Sequence, residues 1–390
     1  MNDPAALPGI PTSEYAERLE GLRALMREKG MAAVLLGTGP NLGYFSGYPS
    51  PSKSGSRPYF LVLPLAGEPI FIAQNGRRVE AARFSCVRDV RFYEELSRAP
   101  VAMIRDALRE RGGLGKAVGL ELGVEQSFEV PPLELRRLEE GLSGTRLVDA
   151  GDLLWRLRRV KSESEISCLR AACRILKEAY ATTFSSAREG MTDRQIAGLM
   201  YAHFERSGGG DRFLHVVSGK GNYETPNKPV GNRRIEKGDM VWFDAGCTVG
   251  GYWSDFSRGG VVGGASEAQA AAQEEIHRIT WEGVRMIRPG VKASEIARVC
   301  NRKVRELKFP IVEDISGVAS RVGHGVGLNI TEYPHISEED DTVLEPGMVI
   351  TVEPGVATEY GTFHVEENVV VRPDGYEVIS DAPRELAVIG

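Results

Sequence analysis

Three strongly apolar runs in the C-terminal half of this chain end on, or begin beside, a carboxylate, and few folds accommodate that. Met240-Val241-Trp242-Phe243 runs into Asp244-Ala245-Gly246, and Val349-Ile350-Thr351-Val352 runs into Glu353-Pro354-Gly355. Glu366-Glu367-Asn368 leads into Val369-Val370-Val371. Such β-branched and aromatic runs read as buried strands. A carboxylate at the end of one costs on the order of several kcal/mol unless donors or a cation satisfy it. Taken singly, Asp-x-Gly and Glu-Pro-Gly are ordinary turn chemistry. Together, and with Asp255 in Tyr252-Trp253-Ser254-Asp255-Phe256-Ser257-Arg258, they point to a cation site. His324 lies in Gly323-His324-Gly325-Val326-Gly327-Leu328, where glycines let the backbone approach a bound group closely.

Four carboxylates and one imidazole suit two divalent ions of borderline hardness, with Mn, Co, Fe and Zn all compatible. A thiolate zinc site is excluded, because the five cysteines are scattered and form no CxxC pair. Two ions ~3.5–4 Å apart lower the pKa of a shared water and clamp both reacting oxygens, a design for hydrolysis at neutral pH.

At 390 residues the chain is too long for one ordinary core, so two domains are expected. Up to about residue 158, helical and strand patterns alternate. Leu19, Leu22, Leu25 and Met26 recur at helical spacing and Gly30 ends that helix. Residues 32–36, 60–63, 70–73 and 117–121 read as strands and 101–111 as a helix, which suggests an α/β layer domain. The basic stretch 156–165 marks a junction. Beyond it, helices at 166–187 and 192–207 are followed by strands over 214–263, then by helices at 265–288 and 294–307 and closing strands over 325–388, and such runs rather than strict alternation suggest an α+β domain with antiparallel strands. Thr192 and Gln195 form a capping box. The run Gly208 to Gly210 reads as a turn, since it lacks the Lys-Ser/Thr of a phosphate loop. His203, His215 and His277 are taken as structural.

The net charge of −6 argues against a nucleic-acid or anionic-membrane surface. Residues 1–14 carry no basic, apolar leader pattern, no run approaches a membrane span, and the odd cysteine count fits free thiols in a reducing cytoplasm.

These residues resemble the pita-bread metallopeptidases: aminopeptidase P, prolidase, methionine aminopeptidase and creatinase. The motif Asp-x-Gly…Gly-Tyr-x-Ser-Asp-x-Thr-Arg appears as Asp244-Ala245-Gly246…Gly251-Tyr252-Trp253-Ser254-Asp255-Phe256-Ser257-Arg258. Gly-His-Gly-x-Gly-Leu, Leu-Glu-Pro-Gly-Met-Val and Thr351-Val352-Glu353-Pro354-Gly355 follow in family order. Lys161-Ser162…Glu165-Ile166 resembles the entry to the catalytic domain, and Asn41-Leu42-Gly43-Tyr44-Phe45-Ser46-Gly47 resembles the creatinase-type N-terminal domain.

The resemblance implies a creatinase-type α/β domain over 1–158 and a pita-bread catalytic domain over 159–390. It implies that Asp244 binds one ion, that Asp255 and Glu366 bridge both, and that His324 and Glu353 hold the second, with manganese favoured. Glu353 is then the proton shuttle for a shared hydroxide attacking a carbonyl or amidine carbon. Residues two apart on a strand share a face, so a Glu366 turned to the metals brings His364 with it and sends Glu367 away. A homodimer is also implied, with the N-terminal domain capping a neighbour's site.

Departures fall where substrate is handled. Thr331 stands where prolyl peptidases have a His seven residues after the metal-binding one, Asn227 where they have a His seventeen before the first Asp, and His364 where they have an Arg. A Thr or Asn cannot protonate a leaving amine as an imidazolium can. Asn227, Thr331, His335 and Tyr252 are the candidate substrate contacts, and Glu353 and His364 the candidate catalytic pair. Three functions remain open. One is an X-Pro aminopeptidase or dipeptidase in which His364 or His335 replaces the lost histidines. Another is a non-peptidase acting on a small amide or amidine, as ectoine hydrolase and creatinase do, or a lyase like the dimethylsulfoniopropionate-cleaving relatives. The third is a binding module without catalysis, against which the complete ligand set argues.

Overall fold

A computed structural model describes residues 7–37, 39–49 and 57–390. The first six residues of the segment read for a leader lie outside them. The chain forms two compact units, Ile10–Arg158 and Arg159–Gly390, the latter joined by residues 7–9.

The first unit is a six-stranded mixed sheet. Its order is Asp89–Tyr93, Ile70–Gln74, Phe60–Pro64, Ala33–Leu36, Ala117–Leu120 and Arg146–Asp149. Phe60–Pro64 runs antiparallel to both neighbours and the other pairings are parallel. Ala33–Leu36 and Ile70–Gln74 are buried at every position, as strands covered on both faces must be. The helix Thr12–Lys29 ends at Gly30, whose left-handed φ of 65° suits glycine and turns the chain towards the first strand. Apolar side chains of the sheet pack with those of Val101–Glu110 and Pro132–Gly141 in one core.

The second unit opens with two helices, Glu163–Ser186 and Asp193–Arg206, each started by a reciprocal capping box (Ser162 with Glu165, Thr192 with Gln195). A sheet ordered Ala387–Ile389, Phe256–Val262, Met240–Val249 and Arg212–Ser218 follows, with Tyr252–Trp253 hairpinned onto Met240–Val249. A second sheet runs Glu332–His335, His324–Gly325, Val349–Val352, Glu367–Arg372 and Gly375–Val378. A third, of three strands, holds Glu313–Asp314, Gly355–Thr358 and Gly361–His364. These pairings are antiparallel except that of Phe256–Val262 with Ala387–Ile389. The helices Glu267–Met286 and Ala293–Arg305 pack apolar faces against the sheets, and one core runs through all of them.

No helix among the described residues is long and apolar enough to cross a membrane. All five cysteines are free, four of them buried. Gly208 to Gly210 forms a turn after the helix Asp193–Arg206, with no helix start following it.

Candidate metal centre

Each carboxylate sits where a strand in the second unit begins, ends or is interrupted in its burial. Asp244 is the one position of Met240–Val249 that is not fully buried. Asp255 lies in the gap between Tyr252–Trp253 and Phe256–Val262, Glu353 follows Val349–Val352, and Glu366 precedes Glu367–Arg372. His324 opens a two-residue strand. Hydrogen-bond registers fix their convergence: Asp244 lies opposite Ser257, and Val352 opposite Glu367.

The ligand-type atoms are close. His324 Nε2 lies 3.5 Å from Asp255 Oδ2 and 3.3 Å from Glu353 Oε1, and the carboxyls of Asp244 and Asp255 are within hydrogen-bonding reach. Asp255, His324 and Glu366 each offer a ligand atom within 4.8 Å of the others, and so do Glu353, His364 and Glu366. Glu366 belongs to both groups. His324 Nδ1 faces the Gly325 carbonyl at 2.9 Å. A carbonyl only accepts, so Nδ1 carries a proton, and in the neutral ring the lone pair sits on Nε2, facing the carboxylates, the orientation of a metal-binding imidazole.

Both oxygens of Glu366 and Oδ1 of Asp244 are buried without a hydrogen-bond partner among the described residues. Folded proteins leave few such atoms. Glu367, one residue on, has its oxygens taken by Arg258, Ser380 and Arg384. The strand parity thus separates one glutamate, paired on the far side, from another aimed into the cluster with nothing to answer it. Divalent cations satisfy every orphaned oxygen at once, so the donor set fits them.

Electrostatics agree. Burial pushes the Asp255 carboxyl well above its usual range, and the charges of Asp244 and Glu353 push it further. Glu366 is raised by burial and by Asp255, Glu353 and Asp244, and Asp244 is raised chiefly by burial. Glu353 goes the other way. Burial is outweighed there by the His324 charge, by a hydrogen bond and charge from His364, and by Arg321, which bring it down to about 2. Burial also lowers His324, against the opposing pull of the Glu353 charge. Bound cations reverse the penalty on the three raised carboxyls, because they are the largest local charges in any such site.

Supporting contacts reach far along the chain. Asn368 clamps the Asp255 backbone, accepting from its N–H at 3.0 Å and donating to its carbonyl. Thr351 Oγ1 accepts from the His324 N–H and donates to Glu353 Oε1 at 3.3 Å. Arg258 donates to the Glu366 carbonyl.

The candidate substrate contacts are dispersed. His335 lies opposite His324 in the strand register, and Thr331 is half-buried in the bend before it. Asn227 is exposed on the long turn region preceding Met240–Val249. Tyr252 is 2% exposed and donates its hydroxyl to Glu165 at 2.7 Å, a packing position rather than an open one. His215, read as structural from sequence, lies directly opposite Asp244, and its charge acts on that carboxyl. Only the pairing of Arg212–Ser218 with Met240–Val249 reveals this, and sequence gives no register between strands so far apart. His203 does bond to Thr182 and Ser207 within the helical layer.

The family model for metallopeptidase family M24 matches residues 167–373, and that for the creatinase/prolidase N-terminal domain matches 18–160. An Xaa-Pro dipeptidase from Pyrococcus horikoshii is 27% identical over 95% of this chain and 98% of its own. The dipeptidase PepE from Mycobacterium ulcerans superposes with a TM-score of 0.82 at 26% identity, covering 98% of this chain and 99% of that one. An X-Pro aminopeptidase from Thermotoga maritima shares the fold at a TM-score of 0.81 and 23% identity, over 95% and 99% of the two chains. With its creatinase-type N-terminal unit, its pita-bread unit and a donor set fit for divalent cations, the chain belongs to metallopeptidase family M24 and is a metal-dependent hydrolase.

Proposed function

We propose that this chain is an Xaa-Pro aminopeptidase or dipeptidase that works with two divalent ions, manganese favoured, held by Asp244, Asp255, His324, Glu353 and Glu366. The observation that carries the reading is the pair of orphaned Glu366 oxygens set between two groups of ligand atoms. The substrate class rests on relatives named Xaa-Pro dipeptidase and dipeptidase that align over nearly the whole chain. The ions, when bound, activate water and stabilise negative charge on the scissile carbonyl. Glu353, ionised at neutral pH, accepts the proton from the attacking water and passes it to the leaving nitrogen. Thr351 holds Glu353 in place through its hydroxyl. Thr331, His335 and Asn227 contact substrate. The boundary between the two domains falls between residues 158 and 159, the protein is cytoplasmic, in keeping with its five free cysteines, and it acts as a homodimer.

A second reading is favoured by Thr331, Asn227 and His364, which replace the family's His, His and Arg. In it the same centre cleaves a C–N bond of a small amide or amidine. Metal content of the purified protein, paired with manganese-supplemented turnover of X-Pro dipeptides and tripeptides, separates the two. Two ions per chain with X-Pro cleavage supports the peptidase. Two ions with turnover only of small amides transfers the assignment to the second reading. A chain that binds no divalent ion overturns both.

A further inference from the structure

His364 ends the strand Gly361–His364, at a position from which the metal-binding set drawn from sequence takes no ligand. Its ring is held on three sides. Gly355 lies opposite it in the strand register, where a Cβ would come within 2.4 Å of the His364 Cδ2, so only glycine leaves room for the ring. The Trp242 ring meets it edge-on at 5.4 Å, and the Trp242 Nε1–H donates to the His364 carbonyl. Ser257 Oγ lies 2.7 Å from His364 Nδ1 and 2.9 Å from the His364 carbonyl oxygen.

The serine has one proton to give. The carbonyl oxygen can only accept, so both contacts are satisfied together when Ser257 donates to the carbonyl and accepts from Nδ1–H. In the neutral ring, the form that can bind a metal, the lone pair is then on the His364 Nε2, which lies 3.4 Å from Glu353 Oε2 within the group formed with Glu366. His324 is arranged in the same way, with Nδ1 tied to a carbonyl and Nε2 beside the other oxygen of Glu353. Glu353 thus stands between two imidazoles whose far nitrogens are both tied down by hydrogen bonds. A ring that donates one nitrogen to a fixed acceptor and aims the other at carboxylates has the outer-contact pattern of a metal ligand.

We infer that His364 is a sixth protein ligand of the metal centre, binding through Nε2 to an ion it shares with Glu353 and Glu366, with Ser257 as its positioning residue. This rests on the metal-centre reading above and adds a second imidazole to it. Nitrogen donors favour later and softer divalent ions over manganese, so the extra imidazole shifts the preference of the centre towards Co, Fe or Zn.

The test uses the full-length protein, stripped of metal and reloaded with Co(II). X-ray absorption counts imidazoles per ion, and calorimetric titration gives stoichiometry and affinity. With two ions bound, wild type is expected to show about one imidazole per ion, His324 and His364 together. His364→Gln should lower that to about half and weaken one of the two binding steps by roughly 10–100-fold. Ser257→Ala keeps the imidazole but frees its ring, and should weaken the same step by about 10-fold. Circular dichroism of the metal-free variants checks that they fold, and Ser257→Ala carries the test if His364→Gln does not. Wild type with two ions but half an imidazole per ion, and affinities indifferent to both substitutions, overturns the inference and makes His364 an imidazolium partner of Glu353. Wild type that takes up no ion at all removes the metal-centre reading, and this inference with it.

Discussion

The carboxylates of the centre are costly to the fold on their own, and this decides what substitutions there should do. Asp255 and Glu366 are buried, and each is pushed up by its neighbours' charge. Asp255→Asn or Glu366→Gln removes one negative charge from a repelling cluster, so the metal-free protein should hold or gain thermal stability. Metal binding and hydrolysis should fall together, turnover by at least about 10³-fold, since the ions supply both the nucleophile and charge stabilisation. Full activity in either variant sinks the ligand assignment. Asn368 makes the opposite prediction. Asn368→Ala leaves the buried N–H and carbonyl of Asp255 without their partner, costing about 2 kcal/mol, and loosens the ligand enough to weaken metal binding about 10-fold. Thermal melts with and without metal separate the two effects. That these carboxylates needed an unusual explanation was legible in the sequence, because a carboxylate at the mouth of an apolar run has no cheap structural one. Their supports were not: Ser257 and His364 are 107 residues apart and Asp255 and Asn368 are 113 apart, and nothing local announces either pair.

At the scale of elements, the well-patterned helices and strands were readable and the ones defined by their partners were not. The Thr192 and Gln195 capping box starts the helix Asp193–Arg206 as its spacing requires. By contrast Asp89–Tyr93 and Arg146–Asp149 lack a fully buried run, and they are strands because the edges of a parallel ladder hold them. His324–Gly325 is too short for any periodicity and exists only between Glu332–His335 and Val349–Val352. What steadies the loop after it is a buried ion pair. Lys161 Nζ lies 3.0 Å from Glu332 Oε2 with both side chains 1% exposed, and the other Glu332 oxygen accepts from the Asn329 N–H. Gly327 is required beside this carboxylate, because a Cβ there would lie 2.6 Å from Oε2. Breaking a buried pair from one side strands a charge, so Lys161→Met should cost about 3–5 kcal/mol, far more than an exposed pair. Lys161→Met combined with Glu332→Gln should recover part of that loss. A double variant as unstable as the sum of the two single changes would show that the pair is not coupled.

The whole molecule couples folding, protons and metal. In the metal-free chain Asp255, Glu366 and Asp244 have native pKa values above those of the unfolded chain. Below about pH 4 both states hold these protons and the groups cost nothing. As pH rises through the interval between unfolded and native values, the unfolded chain ionises first, and the metal-free native state loses stability progressively. Glu353 has the opposite sign. Its native value of about 2 gives stability that is present above the ordinary glutamate range and is lost as pH falls towards 2. Bound cations need the carboxylates ionised, so binding releases protons and grows stronger as pH rises. The melting temperature of metal-free protein should therefore fall from pH 5 to pH 8 while that of metal-loaded protein holds. The difference should be large, since ligand at ~100 times its Kd adds about 2.7 kcal/mol to the native state. Calorimetry in buffers of different ionisation enthalpy should show net proton release near neutral pH. A metal-induced shift equal at pH 5 and pH 8, with no proton released, would mean that the ions bind elsewhere than at these buried carboxyls.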